Sequence, residues 1–133
     1  MTVDIETNAV PKASLLITLA GTVLHVEDGL GNPGGNVRIR PGRPLRFSNK
    51  TGYRCAISFL ELADAEEPDL DCASSTWIFD ESKPAECTRL LDSDTEWKAK
   101  LKSGMEVVVV KYTIALPDRS DVPPLDPIII VRP

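Results

Sequence analysis

The 133 residues, 42% hydrophobic and 26% charged with a formal charge of -5, fit one globular domain and match neither a disordered nor a membrane chain. Eleven prolines and eight glycines favour strands and turns over long helices. Net acidity argues against nonspecific nucleic-acid binding, whose affinity comes largely from Lys and Arg on phosphates.

Residues 1–11 read as a flexible leader, and 12–133 as a single domain. Asp4 and Glu6 precede the first lysine, so no secretory signal is read. No run approaches the roughly eighteen apolar residues of a membrane helix, and a cytoplasmic location is the default expectation. Residues 14–19 and 22–27 are β-favouring runs joined at Ala20-Gly21. In the second, Leu24 and Val26 share a face opposite Val23, His25 and Glu27. Residues 28–36, DGLGNPGGN, are a loop.

Alternation then places Val37, Ile39, Leu45 and Phe47 inward and Arg38, Arg40, Arg46 and Ser48 outward, with Pro41-Gly42 as a turn. Asn49-Lys50-Thr51-Gly52 turns the chain again, and Tyr53, Cys55, Ile57 and Phe59 face inward along the next strand. The pattern weakens into an irregular excursion over 61–93, in which Trp77, Ile78 and Phe79 suggest one short strand or a helical turn. Trp97, Ala99 and Leu101 mark a strand over 94–101. The run MEVVVVKYTIAL, residues 105–116, reads as a central strand. Residues 117–127 form a proline-rich loop, and 128–131 a buried final strand that needs neighbours on both sides. Seven or eight short strands at this spacing give an all-β, Greek-key antiparallel β-sandwich.

The run PGRPLRFSNKTGYRCAISF and the terminal stretch KYTIALPDRSDVPPLDPIIIV resemble the cupredoxin family, of which plastocyanin is a member. In that family a Pro-Gly turn leads to a strand of the form hydrophobic-x-Phe-x-Asn, then to a short turn and the first copper histidine. The resemblance implies a cupredoxin-like sandwich with a metal-binding loop between its last two strands. Aligned this way, the first histidine position holds Cys55, the cysteine position falls near Leu116, the second histidine near Arg119, and the axial methionine near Pro123 or Pro124. A blue-copper centre needs two imidazoles, a thiolate and a weak axial donor. The chain has one histidine, His25, on the outward face of an early strand, so no cofactor and no metal are expected.

Other chemistry is sparse. Cys55 reads as a small core residue, with an atypical soft-metal site as the alternative. His25 has no evident partner for base catalysis. Cys72 and Cys87 are free to pair in an oxidising compartment, while three cysteines without CxxC spacing suggest neither a disulfide framework nor a zinc site. The triplet Asn49-Lys50-Thr51 matches a glycosylation acceptor but has no meaning without secretion. The acids Asp64, Glu66, Glu67, Asp69 and Asp71 lack the spacing of a calcium loop. Two binding candidates remain. Arg38, Arg40, Arg46 and Arg54 are expected on one outer face as a patch for an acidic protein surface. Asp118, Arg119 and Asp121 offer polar contacts on the proline-braced loop.

The expectation is therefore a noncatalytic, copper-free binding or assembly module with a protein partner, no nucleic acid and no membrane, and with self-association left open. The alternatives are a metalloprotein at Cys55 and a small enzyme with its site in 61–93.

Overall fold

Strands with one apolar face are stable only when two such faces close on each other. The computed structural model describes residues 2–4, 14–29, 34–63 and 69–133. Its strands are β1 (Thr2–Asp4), β2 (Ser14–Ala20), β3 (Val23–Asp28), β4 (Asn36–Ile39), β5 (Pro44–Lys50), β6 (Cys55–Glu61), β7 (Thr88–Leu91), β8 (Glu96–Lys100), β9 (Val108–Ala115) and β10 (Ile128–Val131). One sheet has the order β1-β4-β10-β9-β6-β7, the other β3-β2-β5-β8. The all-β sandwich is thus the observed fold class. The helical structure among the described residues is a single 3-10 turn over Ala85–Cys87. No helix there is long and apolar enough to cross a membrane.

Period-two alternation predicts the buried faces well. Leu24 and Val26, Val37 and Ile39, Leu45 and Phe47, and Val110, Tyr112 and Ile114 are all buried. β9 is central, flanked by β10 and β6, and β10 lies between β4 and β9. Three differences stand out. The expected leader contains β1, which pairs in parallel with β4 and covers its outer edge; residues 5–11 lie outside the described set. The pairs β1 with β4, β10 with β4 and β2 with β5 run parallel, because connections that cross between sheets deliver strands in either direction. Tyr53, assigned inward by parity, is 36% exposed, since the chain is still in a turn before β6 begins at Cys55.

The excursion after β6 is ordered by packing rather than by periodicity. Trp77, Ile78 and Phe79 form neither strand nor helical turn; Phe79 makes an isolated bridge to Leu101, and all three side chains are buried. Phe47 lies inside the aromatic core, stacked on Trp97 at 5.2 Å and edge-on to Phe59, Phe79 and Tyr112 at 6.0, 6.4 and 6.0 Å. Such offset and edge arrangements add to the area these rings bury. Cys72 and Cys87 form a disulfide with a Cα–Cα distance of 5.6 Å, which closes the excursion on itself. Glu61 adds a second tie, its Oε1 accepting the Thr76 N–H at 2.9 Å.

Gly35 shows how tightly the sheets meet. It adopts φ +73°, and a Cβ there would sit 2.7 Å from the Tyr112 hydroxyl and 2.9 Å from Val26 Cγ1. The buried Tyr112 hydroxyl donates to the Gly35 carbonyl, so only glycine fits between the strands.

Candidate functional site

The turn between β5 and β6 starts from one buried amide. Leu45, Phe47 and Asn49 share inward parity, so Asn49 is fully buried at the end of β5 instead of opening the turn as expected. Its Nδ2 donates to the carbonyls of Tyr53 at 2.8 Å and Leu91 at 2.9 Å. Its Oδ1 accepts the Thr51 N–H at 3.0 Å and lies 2.8 Å from Thr51 Oγ1. The Tyr53 N–H in turn donates to Thr51 Oγ1 at 3.1 Å. Every polar atom of the Asn49 side chain is used, which locks the turn and leaves no room for a sugar on Asn49 in the folded state.

Beneath this turn lies Cys55, fully buried. It pairs with Leu91 on β7, and the register that sets Ala56 opposite Ala115 brings Leu116, also buried, alongside on the other flank. Its sulfur has one polar neighbour, Thr51 Oγ1 at 3.9 Å. Burial pushes the thiol up from the ordinary 9.0 to about 11, opposed only by the Thr51 contact.

Above the turn the polar side chains converge. The Arg119 guanidinium lies 5.0 Å from the Tyr53 ring centroid. Its Nε and Nη2 bond the two carboxylate oxygens of Asp121 at 2.8 and 2.7 Å. Asp121 keeps the guanidinium proton well bound, and Arg119 in turn holds the Asp121 carboxyl below its usual range. Arg54 reaches Asp118 at 3.9 Å. The loop carrying these residues is fixed by the Arg119 N–H on the Leu116 carbonyl at 3.0 Å and the Val122 N–H on the Arg119 carbonyl at 3.1 Å. Val122 seals its underside.

The structure therefore brings Arg54, Asp118, Arg119 and Asp121 together at one pole, and adds Tyr53 and Thr51, which sequence reasoning missed. It does not bring Arg38, Arg40, Arg46 and Arg54 onto one face. Arg38 is on β4 and Arg46 on β5, which belong to different sheets, because the Pro41-Gly42 turn carries the chain across the sandwich. Arg46 instead pairs with Glu96 at 3.6 Å and lines a shallow groove of about 370 Å³ with Ser14, Glu27 and Ser48. His25 is exposed on β3. In the acidic run, Asp69 binds Lys111 at 2.5 Å and Asp71 accepts the Ser74 N–H at 2.8 Å; Asp64, Glu66 and Glu67 lie outside the described residues. No group of three His, Cys, Asp or Glu among the described residues is arranged to hold a metal ion.

No family model and no curated protein matches the chain. Solved structures do. The 2F4 variant of McoA multicopper oxidase from the hyperthermophile Aquifex aeolicus is 12% identical at a TM-score of 0.50, over 99% of this chain and 28% of that one. McoA multicopper oxidase from the same organism is 13% identical with a TM-score of 0.47, over 90% of this chain and 26% of that one. A further multicopper oxidase is 13% identical at 0.43, over 89% and 40%. The chain thus spans between about a quarter and two fifths of the length of the solved chains it matches. The first alignment carries the fold: the chain has a cupredoxin-like fold.

Copper is the group this fold implies. At the pole where the sequence resemblance places the metal-binding loop, the chain presents a buried thiol between Leu91 and Leu116, and an arginine already bound to a carboxylate. A blue-copper centre needs a thiolate with imidazole partners, and these residues do not fit that requirement.

Proposed function

We propose that this chain is a noncatalytic, copper-free module that binds a protein partner through the pole formed by Tyr53, Arg54, Asp118, Arg119 and Asp121. One observation carries the reading. At the pole where the sequence resemblance places the metal-binding loop, this chain has an apolar, sealed plug around Cys55, and above it an aromatic ring and a guanidinium pre-positioned by Asp121 and the Asn49 network. Tyr and Arg on rigid supports are the side chains that most often anchor protein interfaces. Prolines on the same loop lower the entropy lost on docking. A noncatalytic role is further supported by a thiol that keeps its proton and by the exposed position of His25 on β3. We infer an oxidising compartment as the working place, because the Cys72–Cys87 bond persists where thiols are not kept reduced.

The test is partner recovery from native cells by affinity purification, repeated with Tyr53→Ala combined with Arg119→Glu. Loss of a defined partner from the pole variant, with retention by His25→Ala, supports the reading. An unchanged complex overturns it. Elemental analysis of protein purified without chelator addresses the copper-free part, which stoichiometric copper or an intense thiolate charge-transfer band would defeat.

A further inference from the structure

At the end of the six-stranded sheet opposite the loop pole, three arginines share the outer face. The parallel register pairs Arg38 with Ile130. The Arg132 N–H donates to the Ile39 carbonyl at 3.1 Å, so the same ladder runs on to set Arg132 beside Arg40. Extended-chain geometry puts Arg40, just past the end of β4, about 6.6 Å from Arg38, and Arg132 about 4.8 Å from Arg40 across the continued ladder. Arg40 and Arg132 are exposed, and Arg38 is half-buried. None of the three makes an ion pair among the described residues, and Arg38 Nε is buried with no hydrogen-bond partner. On β1 the register neighbour of Arg38 is Asp4.

The same face continues as an apolar strip. Ile130 pairs with Val109 and Ile128 with Lys111, the Lys111 amine being occupied by Asp69. Ile128, Ile130 and Val109 are partly exposed, and Val107 is 63% exposed.

We propose that this corner docks an acidic polypeptide segment that also carries apolar side chains, its carboxylates on Arg38, Arg40 and Arg132 and its apolar groups on Val107, Val109 and Ile130. The exposed guanidiniums of Arg40 and Arg132 are matched by planar carboxylates, each of which accepts two parallel bonds, and the half-buried Arg38 adds positive charge beside them. The adjoining strip selects a polypeptide over a free inorganic anion, which would leave the apolar half unused. The surface lies apart from the loop pole, and its assignment does not depend on the pole.

The test is fluorescence anisotropy of the full chain with a labelled peptide of alternating Glu and Leu. Saturable binding is expected, weakening with added salt and falling by about tenfold for Arg38→Glu combined with Arg40→Glu. Arg132→Glu lies beyond the end of β10, where it leaves the ladder intact, and is expected to weaken binding in the same direction. Arg46→Glu, on the other sheet, is expected to leave it unchanged, with melting curves confirming that each variant is folded. Unchanged binding in Arg132→Glu overturns the proposal. So do equal binding of a Lys and Leu peptide, and complete displacement of the acidic peptide by inorganic phosphate at matched ionic strength.

Discussion

The guanidinium of Arg119 stacks 5.0 Å from the ring of Tyr53 while gripping both oxygens of Asp121. These three side chains come from two connections that are distant in sequence, and together they tie the loop after β9 to the turn before β6. Replacing Arg119 by Ala is expected to speed amide hydrogen exchange over residues 117–122 while leaving the global unfolding midpoint nearly in place, because local opening draws on few buried contacts. Equal exchange rates in the two proteins would show that the loop is held by its backbone bonds alone.

Asn49 is the structural counterpart beneath that surface. Asn49→Ala removes the donor to the buried Leu91 carbonyl and the acceptor of the Thr51 N–H, while the part-buried Tyr53 carbonyl keeps the Thr51 hydroxyl. The expected cost is roughly 2–4 kcal/mol in denaturant unfolding, the range for stranding two or more buried polar groups. A loss under half a kilocalorie, by the ordinary scale of surface substitutions, would mean that water replaces the side chain.

The disulfide closes a separation of 15 residues, for which loop-closure entropy corresponds to about 3 kcal/mol. Cys72→Ser combined with Cys87→Ser is expected to lower the unfolding free energy by about 2–4 kcal/mol, and reductant should shift the wild-type midpoint toward that of the variant. The effect should concentrate in exchange of the segment between β6 and β7, whose Trp77 and Phe79 plug the core. Identical midpoints with and without reductant would contradict this.

Burial raises the Cys55 thiol from 9.0 to about 11. The unfolded chain therefore releases this proton first as pH rises, and the folded state is penalised through that window. The contribution of this thiol is fully present below pH 9 and is lost progressively toward pH 11. Wild-type stability should accordingly fall more steeply than that of Cys55→Ala between those values, as read by urea midpoints at each pH. Parallel curves would place the thiol in contact with solvent.

How far the residues announced this arrangement depends on the element. The inward parity of Leu45 and Phe47 extends to Asn49, so its burial was open to detection from alternation; the Asn-Lys-Thr-Gly cluster, rich in turn formers, masked it. Resemblance to a copper fold points to Cys55, and the proline-braced loop points to Asp118, Arg119 and Asp121, whereas the parity of Tyr53 points to the core. β7 and β1 are short, and neither carries enough alternation to stand out from its surroundings. Trp77, Ile78 and Phe79 were visible as an apolar cluster, but their role as a plug comes from contacts with Phe59 and Phe47 that no local pattern records.

Side-chain period alone was enough to assign most inward and outward positions, since each step along an extended chain reverses the face and only one face of each strand is dry. It said nothing about which strand lies beside which. Arg38 and Arg46 obey the same alternation, eight positions apart, and end on opposite sides of the molecule because a two-residue turn moves the chain from one sheet to the other. Arg132 joins Arg38 and Arg40 for the converse reason: parallel pairing of β10 with β4 sets segments far apart in the sequence side by side. Groupings of charge on this protein are properties of strand order, and strand order emerges only when both layers close over Phe47 and its aromatic neighbours.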